Sequence, residues 1–215
     1  MTHVSISSRL ALIALLVLTC FNSSPAAANS SVSASPADTL AADVPFSDDF
    51  ESGTFGADWS TVKENNGVVE VNGDYPHSGA KSVFLGQKLA GHASASLVLA
   101  LDLTGQTDVF LDFWVRATGG FNYRKVYISD DGGTTWELIR ELNNTPQSFK
   151  REILNIADAA TAEGLELNNK FRISFYYGSA LGRASDGMVV DDIQIGTQDP
   201  TAGLKVYLPL LRRPR

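Results

Sequence analysis

The chain has 215 residues, of which 44% are hydrophobic and 19% charged, and its formal net charge is −7. That length supports one sizeable core, and the acidity disfavours nucleic acid and anionic membranes as partners while mildly favouring cations. Cys20 is the only cysteine, so no intrachain disulfide forms and rigidity has to come from the core or from bound metal.

Residues 1–28 carry Arg9, an apolar run from Leu10 to Leu18, and then Ser23-Ser24-Pro25-Ala26-Ala27-Ala28. This is the pattern of a secretory signal peptide cleaved after Ala28. The run is shorter than the roughly 20 residues a spanning helix needs, so no membrane span is expected. Lipidation of Cys20 would anchor the protein instead of releasing it, but Leu18 and Thr19 depart from the lipoprotein pattern. The expected destination is outside the cell or in its envelope. Removing the signal takes one arginine and no acid, leaving 16 positive and 24 negative side chains and a net charge of −8. Residues 29–45 are rich in Ala and Ser, with Pro36 and Pro45, and read as a flexible linker.

From Phe46 to Ile195 the apolar stretches are short, alternating and rich in Val, Ile, Phe, Tyr and Trp. They predict strands near 58–62, 67–72, 80–86, 94–102, 108–116, 123–130, 135–141, 148–156, 171–177 and 187–195. Ten or so strands at this spacing predict a sandwich. Only Ala157 to Leu167 is compatible with a helical turn, and Gly164 interrupts it. No repeat of 20–50 residues appears, which argues against a solenoid or propeller. Residues 197–215 form a second linker and a short tail, Lys205-Val206-Tyr207-Leu208-Pro209-Leu210-Leu211-Arg212-Arg213. The tail resembles those of many secreted bacterial proteins, which implies sorting or envelope retention. A frayed end or a strand laid on the domain is the other reading.

The most specific motif is Ser129-Asp130-Asp131-Gly132-Gly133-Thr134-Thr135-Trp136. The two glycines supply the positive φ of a tight hairpin, the Asp131 carboxylate can accept turn amides, Ser129 and Thr135 can tie the strand ends, and Trp136 can cover the base. The pattern Ser-x-Asp-x-Gly-x-Thr-Trp resembles the Asp-box of secreted β-proteins. A metal-binding or sugar-binding loop is its functional alternative.

Three further segments come in a telling order: Asp48-Asp49-Phe50-Glu51-Ser52-Gly53 ahead of Trp59, His77-Ser78-Gly79-Ala80-Lys81-Ser82-Val83-Phe84-Leu85, and Gly187-Met188-Val189-Val190-Asp191-Asp192-Ile193-Gln194-Ile195. Together they resemble a MAM-type or reelin-subrepeat jelly roll over residues 46–196. The resemblance implies an all-β, antiparallel jelly-roll β-sandwich of about ten to twelve strands, concanavalin A-like in its general architecture. It also implies a structural Ca²⁺ where the first and last strands meet. Asp49, Glu51 and Asp192 are the first choices as ligands, with Asp48, Asp74 and Asp191 behind them. Ca²⁺ takes about six to eight oxygen ligands, which these residue types suit. Acids simply solvated at strand ends are the alternative.

Alternation puts Val109, Leu111, Phe113 and Val115 on one face of their strand, and Phe110, Asp112, Trp114 and Arg116 on the other. Phe171, Ile173, Phe175 and Tyr177 likewise leave Arg172, Ser174 and Tyr176, while Val126 and Ile128 leave Lys125, Tyr127 and Ser129. If these strands share a sheet, it displays Trp114, Tyr127 and Tyr176 among Arg116, Arg172, Lys125 and Asp112. Such rings among hydrogen-bonding groups suit sugar stacking; a face packed under a loop, a terminal strand or another subunit is the alternative. Catalytic motifs are missing: only His77 and His92 remain after the signal, with no His-Glu-x-x-His, Gly-x-Ser-x-Gly or phosphate loop. The expectation is a secreted, non-catalytic recognition module binding a glycan or a surface protein. A hydrolase or lyase acting on polysaccharide is the second reading.

Overall fold

Alternating strands bury one face only, and here that demand is met by two antiparallel sheets packed face to face. The computed structural model describes residues 41–202 except Phe121; the expected signal peptide with Cys20, most of the expected first linker and the tail lie outside the described residues. One sheet contains β1 (Phe46–Asp48), β3 (Gly67–Asn72), β4 (Ser82–Gln87), β6 (Phe110–Ala117), β9 (Lys150–Asn155) and β11 (Gly187–Gly196). Its order is β3-β4-β11-β6-β9, with β1 also paired to β11. The other contains β2 (Trp59–Asn65), β5 (Gly91–Leu101), β7 (Tyr123–Ser129), β8 (Glu137–Glu141) and β10 (Phe171–Gly182), in the order β2-β5-β10-β7-β8. All ten expected strands are present. The addition is β1, which at three residues is too short to show a period.

The inner faces are those alternation assigned. Leu111, Phe113 and Val115 meet Val126, Ile128, Ile173 and Phe175, all without solvent exposure. Phe113 and Phe175 bridge the sheets edge to face at 5.1 Å. The helical turn becomes α1 (Ile156–Glu163), capped by Asn155, whose side chain accepts the Asp158 amide, and stopped by Gly164 at φ 72°.

Two expectations are corrected. The end of the 29–45 linker belongs to the domain: Ala42 is buried, its amide donates to the Ala100 carbonyl at 3.0 Å, and its carbonyl accepts from Asp102 at 2.9 Å. The strands bearing Trp114, Tyr127 and Tyr176 do not share a sheet. β6 lies in the six-stranded sheet, whereas β7 and β10 pair in the five-stranded one. The proposed single aromatic face is therefore split between opposite sides of the sandwich.

At one end a buried cation replaces an apolar plug. Arg124 is 1% exposed; its Nε donates to the Gly187 carbonyl at 2.9 Å, and its Nη2 to those of Gly119 at 3.0 Å and Gly120 at 2.9 Å. Burial lowers its pKa, and Asp186 partly offsets this. Arg124→Met keeps the stem but removes three hydrogen bonds to backbone carbonyls, which is expected to cost about 3 kcal/mol. Thermal melts should then show a fall of roughly 10 °C.

Candidate functional site

Over Trp114 and Arg116 the outer face of the six-stranded sheet is covered, while beside them a recess of about 440 Å³ stays open over Phe110, Asp112 and Gln194. His77 stacks on Trp114 with ring centroids 3.9 Å apart and planes 16° apart. The Arg116 guanidinium lies 4.4 Å from the Tyr75 ring and 5.8 Å from that of Phe149. Asp112 is buried and gripped by Arg151, whose Nε donates at 2.8 Å and whose Nη2 reaches the second oxygen. Trp114, Arg116 and Asp112 thus serve packing, which was the alternative reading of that face.

What holds this cover down is a bulge in β11. The register with β6 shifts between Asp191 and Gln194, and Asp192 takes φ 48°. Successive strand residues normally point to opposite faces; here the break lets Asp191 and Asp192 both serve the 77–78 segment. The amides of His77 and Ser78 donate to Asp191 Oδ2 at 2.7 and 3.3 Å. The His77 ring pairs with Asp192 Oδ2 at 2.5 Å, and the Ser78 hydroxyl donates to Asp192 Oδ1 at 2.7 Å. Burial raises the pKa of Asp191, and the amide bonds partly counter it. Glu51 fastens the other end of the segment, accepting the Ala80 amide at 2.8 Å and that of Lys81 at 2.7 Å.

The six candidate metal ligands therefore divide. Asp48, Asp49 and Asp192 line one recess of about 350 Å³ with Ser47, Ile193 and Gln194. Glu51 and Asp191 are engaged with the 77–81 segment, and Asp74 lies in the turn after β3. Asp48 also works structurally, accepting the Phe50 amide and the Trp59 indole, each at 2.8 Å. Among the described residues, Asp49 accepts only the Glu51 amide, at 3.2 Å on Oδ1. Among the described residues, no group of three or more His, Cys, Asp or Glu side chains forms a ready ligand set.

The opposite face, on the five-stranded sheet, is open. Register places Val98 beside Ser174, Ser174 beside Tyr127 and Tyr127 beside Leu138; one step along, Val62, Ser96, Tyr176 and Lys125 form a parallel row. A recess of about 360 Å³ lies over these rows, lined by Val62, Ser96, Val98, Tyr127, Trp136, Ser174 and Tyr176. Tyr127 and Tyr176 meet edge to face at 5.9 Å and 87°. Burial raises the Tyr176 pKa, with Tyr127 adding to it, so its hydroxyl stays protonated and able to donate. Arg172 shares the face but turns its Nη1 to the Phe171 carbonyl at 2.9 Å. Lys125 stands 5.9 Å from the Tyr127 ring.

Trp136 was expected to cover a hairpin and Val62 was not singled out. The signal for Trp136 was available: it lies two residues before Leu138, the partner of Tyr127, so period two places it on Tyr127's face. The hairpin itself is tied as its composition suggested. Asp131 Oδ1 accepts the Thr134 and Thr135 amides at 2.9 and 3.0 Å, Oδ2 accepts the Thr135 hydroxyl at 2.8 Å, and Ser129 Oγ accepts the Gly133 amide at 2.9 Å. Gly133 has φ 93°, and a Cβ there would press on the Trp136 ring at 3.1 Å. The hairpin thereby sets one wall of the recess.

No protein-family model matches this sequence, and no curated protein matches it. Similar solved structures do exist. TmCBM61, determined in complex with β-1,4-galactotriose, is 19% identical over 69% of this chain and 94% of its own, with a TM-score of 0.51. The K2 cleaved adhesin domain of Lys-gingipain is 19% identical over 71% of this chain and 99% of its own, at 0.50. The CBM22-1 xylan-binding domain of Paenibacillus barcinonensis Xyn10C is 15% identical over 72% and 94%, at 0.47. The likeness is one of fold: the chain is a β-sandwich of the kind found in carbohydrate-binding modules and adhesin domains.

The Thr135 amide and hydroxyl, followed by Ser129 and the Thr134 amide, hold the Asp131 carboxyl far below the ordinary carboxylate range. A lowered folded pKa means stabilisation that is complete above the unfolded value of 3.8 and disappears as pH falls through the folded one. Asp131→Asn should lower the melting temperature by a few degrees, with a gap to wild type that is constant near neutrality and narrows below about pH 4. Melting both proteins across that range checks it.

Proposed function

We propose that this chain is an exported, non-catalytic carbohydrate-binding module that stacks sugar rings on the open face of its five-stranded sheet. The observation that carries the reading is the recess holding Tyr127, Trp136 and Tyr176 with the hydroxyls of Ser96 and Ser174. Aromatic faces cover the C–H surface of a pyranose, and side-chain hydroxyls exchange hydrogen bonds with those of the sugar. The sandwich is also that of a module solved holding β-1,4-galactotriose, so a glycan ligand is compatible with the fold. Export rests on the signal-like residues 1–28.

A hydrolase or lyase has less support. The residues lining the recess include no carboxylate or histidine. The buried acids are engaged elsewhere: Asp112 by Arg151, Glu152 by Lys150 at 2.5 Å, Asp186 by Asn122 at 3.2 Å, and Asp191 by the 77–78 amides. Binding on a glycan array, with no product released from the bound polymers, is the expected result. Tyr127→Ala, Trp136→Ala and Tyr176→Ala should each weaken binding by about tenfold or more, whereas Trp114→Ala, on the covered face, should leave it unchanged. Unchanged binding in the first three variants overturns the assignment of the face.

The structural Ca²⁺ belongs to this proposal too, at the recess of Asp48, Asp49 and Asp192. Asp49 has one carboxylate oxygen without a protein donor, and backbone carbonyls would complete an oxygen shell. An ion there would neutralise like charges gathered from both ends of the domain and add to stability by binding only the native state. Chelation should lower the melting temperature, added Ca²⁺ should restore it, and Asp49→Asn should abolish both effects. Identical curves with and without chelator would leave the hydrogen bonds to residues 77–81 as the fastening of that corner.

A further inference from the structure

Resting on the glycan reading above, we infer a second carbohydrate subsite at the end of the sandwich, continuous with the aromatic recess, so that the ligand is a chain of several sugars lying along β7. A cleft of about 380 Å³ opens there, lined by Asn122, Tyr123, Asn143, Asn144, Ser179, Ala180 and Leu181. Tyr123 is 59% exposed and Leu181 92%, which leaves an aromatic ring and an aliphatic side chain bare beside three carboxamides. A carboxamide offers both donors and an acceptor, matching the mixed demand of vicinal hydroxyls.

The cleft is preorganised. The Asn143 carboxamide oxygen accepts the Arg124 amide at 3.0 Å, and its Nδ2 reaches Glu141 at 3.4 Å. Asn122 Nδ2 donates to Asp186 at 3.2 Å, and Asp186 also accepts the Arg183 amide at 2.8 Å. The buried Arg124 clamps the neighbouring 119–120 carbonyls to that of Gly187. Walls fixed in this way lose little freedom when a ligand arrives.

Strand β7 runs from the cleft, which Tyr123 lines, to the recess, which Tyr127 lines. Tyr123 and Tyr127 lie on one face of β7 and, four residues apart, are separated by about 13 Å along the strand. Lys125 Nζ stands between them, 5.6 Å from the first ring and 5.9 Å from the second. Gly178 is the cross-strand partner of Tyr123, and a Cβ on it would overlap the phenol oxygen of Tyr176. Its φ is not in the left-handed region, so the glycine is needed here for room. It allows the Tyr176 ring to lie along β10 toward Tyr123. The rings therefore mark a track longer than one pyranose, and neither end of it is lined by a carboxylate. A hydroxyl-rich oligosaccharide is the class that fits, with the Lys125 ammonium at the midpoint as a further hydrogen-bond donor.

Titration calorimetry with β-1,4-linked galacto-, xylo- and gluco-oligosaccharides of two to six units tests the track. Wild-type affinity for the bound series should rise about tenfold or more with length. Tyr123→Ala and Asn144→Ala, both at exposed positions, should erase that rise while leaving the shortest ligand within about twofold of wild type; Tyr176→Ala should weaken every length. Length-independent affinity, or a Tyr123→Ala protein that follows wild type at all lengths, overturns the second subsite and leaves the first standing. Full binding by Tyr176→Ala, or no binding of any series by wild type, overturns the aromatic recess and the track together.

Discussion

The placement of β11 governs the rest of the structure. As the last strand of the sandwich it is hydrogen-bonded to β4 and β6 and also to β1, so one sheet is completed only when the end of the domain inserts between elements made much earlier. That insertion is also what brings Asp191 and Asp192 to the 77–78 segment, across more than a hundred residues of chain. Four hydrogen bonds and the Glu51 contacts then pin the segment over Trp114. The part of that outer face over Trp114 is thereby closed, and Tyr127, Trp136 and Tyr176 stand open on the other side of the sandwich. The acid-rich motifs at the two ends of the domain contribute to function indirectly, by deciding which face is available.

Strand positions were legible because each reports its own alternation. The inward set Val109, Leu111, Phe113 and Val115 is buried as period two requires, and Gly164 ends α1 as a left-handed cap should. Partition of strands between sheets was not legible, because β6 and β7 are consecutive and have the same alternating composition, yet β7 crosses to the opposite layer. Nothing local separates Trp114 from Tyr127. The difference is made by His77, whose stacking on Trp114 depends on a bulge at Asp192 that no periodicity announces.

The acid cluster shows what composition alone leaves out. Like charges drawn together from two segments suggested a cation, since unpaired carboxylates in contact are costly. Much of that cost is met by donors that sequence inspection does not count: the Trp59 indole, the hydroxyl of Ser78, and backbone amides at residues 50, 51, 77, 78, 80 and 81. Amide donors belong to every residue but proline, so their convergence is a property of the fold rather than of the residue names. The corner recess keeps only Asp49 with a single protein donor, which narrows six candidate ligands to a focus.

Rigidity without disulfides follows a common scheme at both proposed sites. Behind the aromatic recess, the Asp131 carboxylate fixes the hairpin that carries Trp136; behind the end cleft, the Arg124 guanidinium fixes the loops beside Tyr123. In each case a charged group turns inward to backbone partners, and the surface left for a ligand is built from rings, hydroxyls and carboxamides. A protein of formal net charge −7 repels anionic polymers at long range, and a recess lined by no charged side chain gains little from counter-ions at short range. Recognition is then left to shape, stacking and hydrogen bonds. Those forces discriminate among ligands only when the surface presenting them is held still, and the inward-turned charges fix the hairpin and loops behind it.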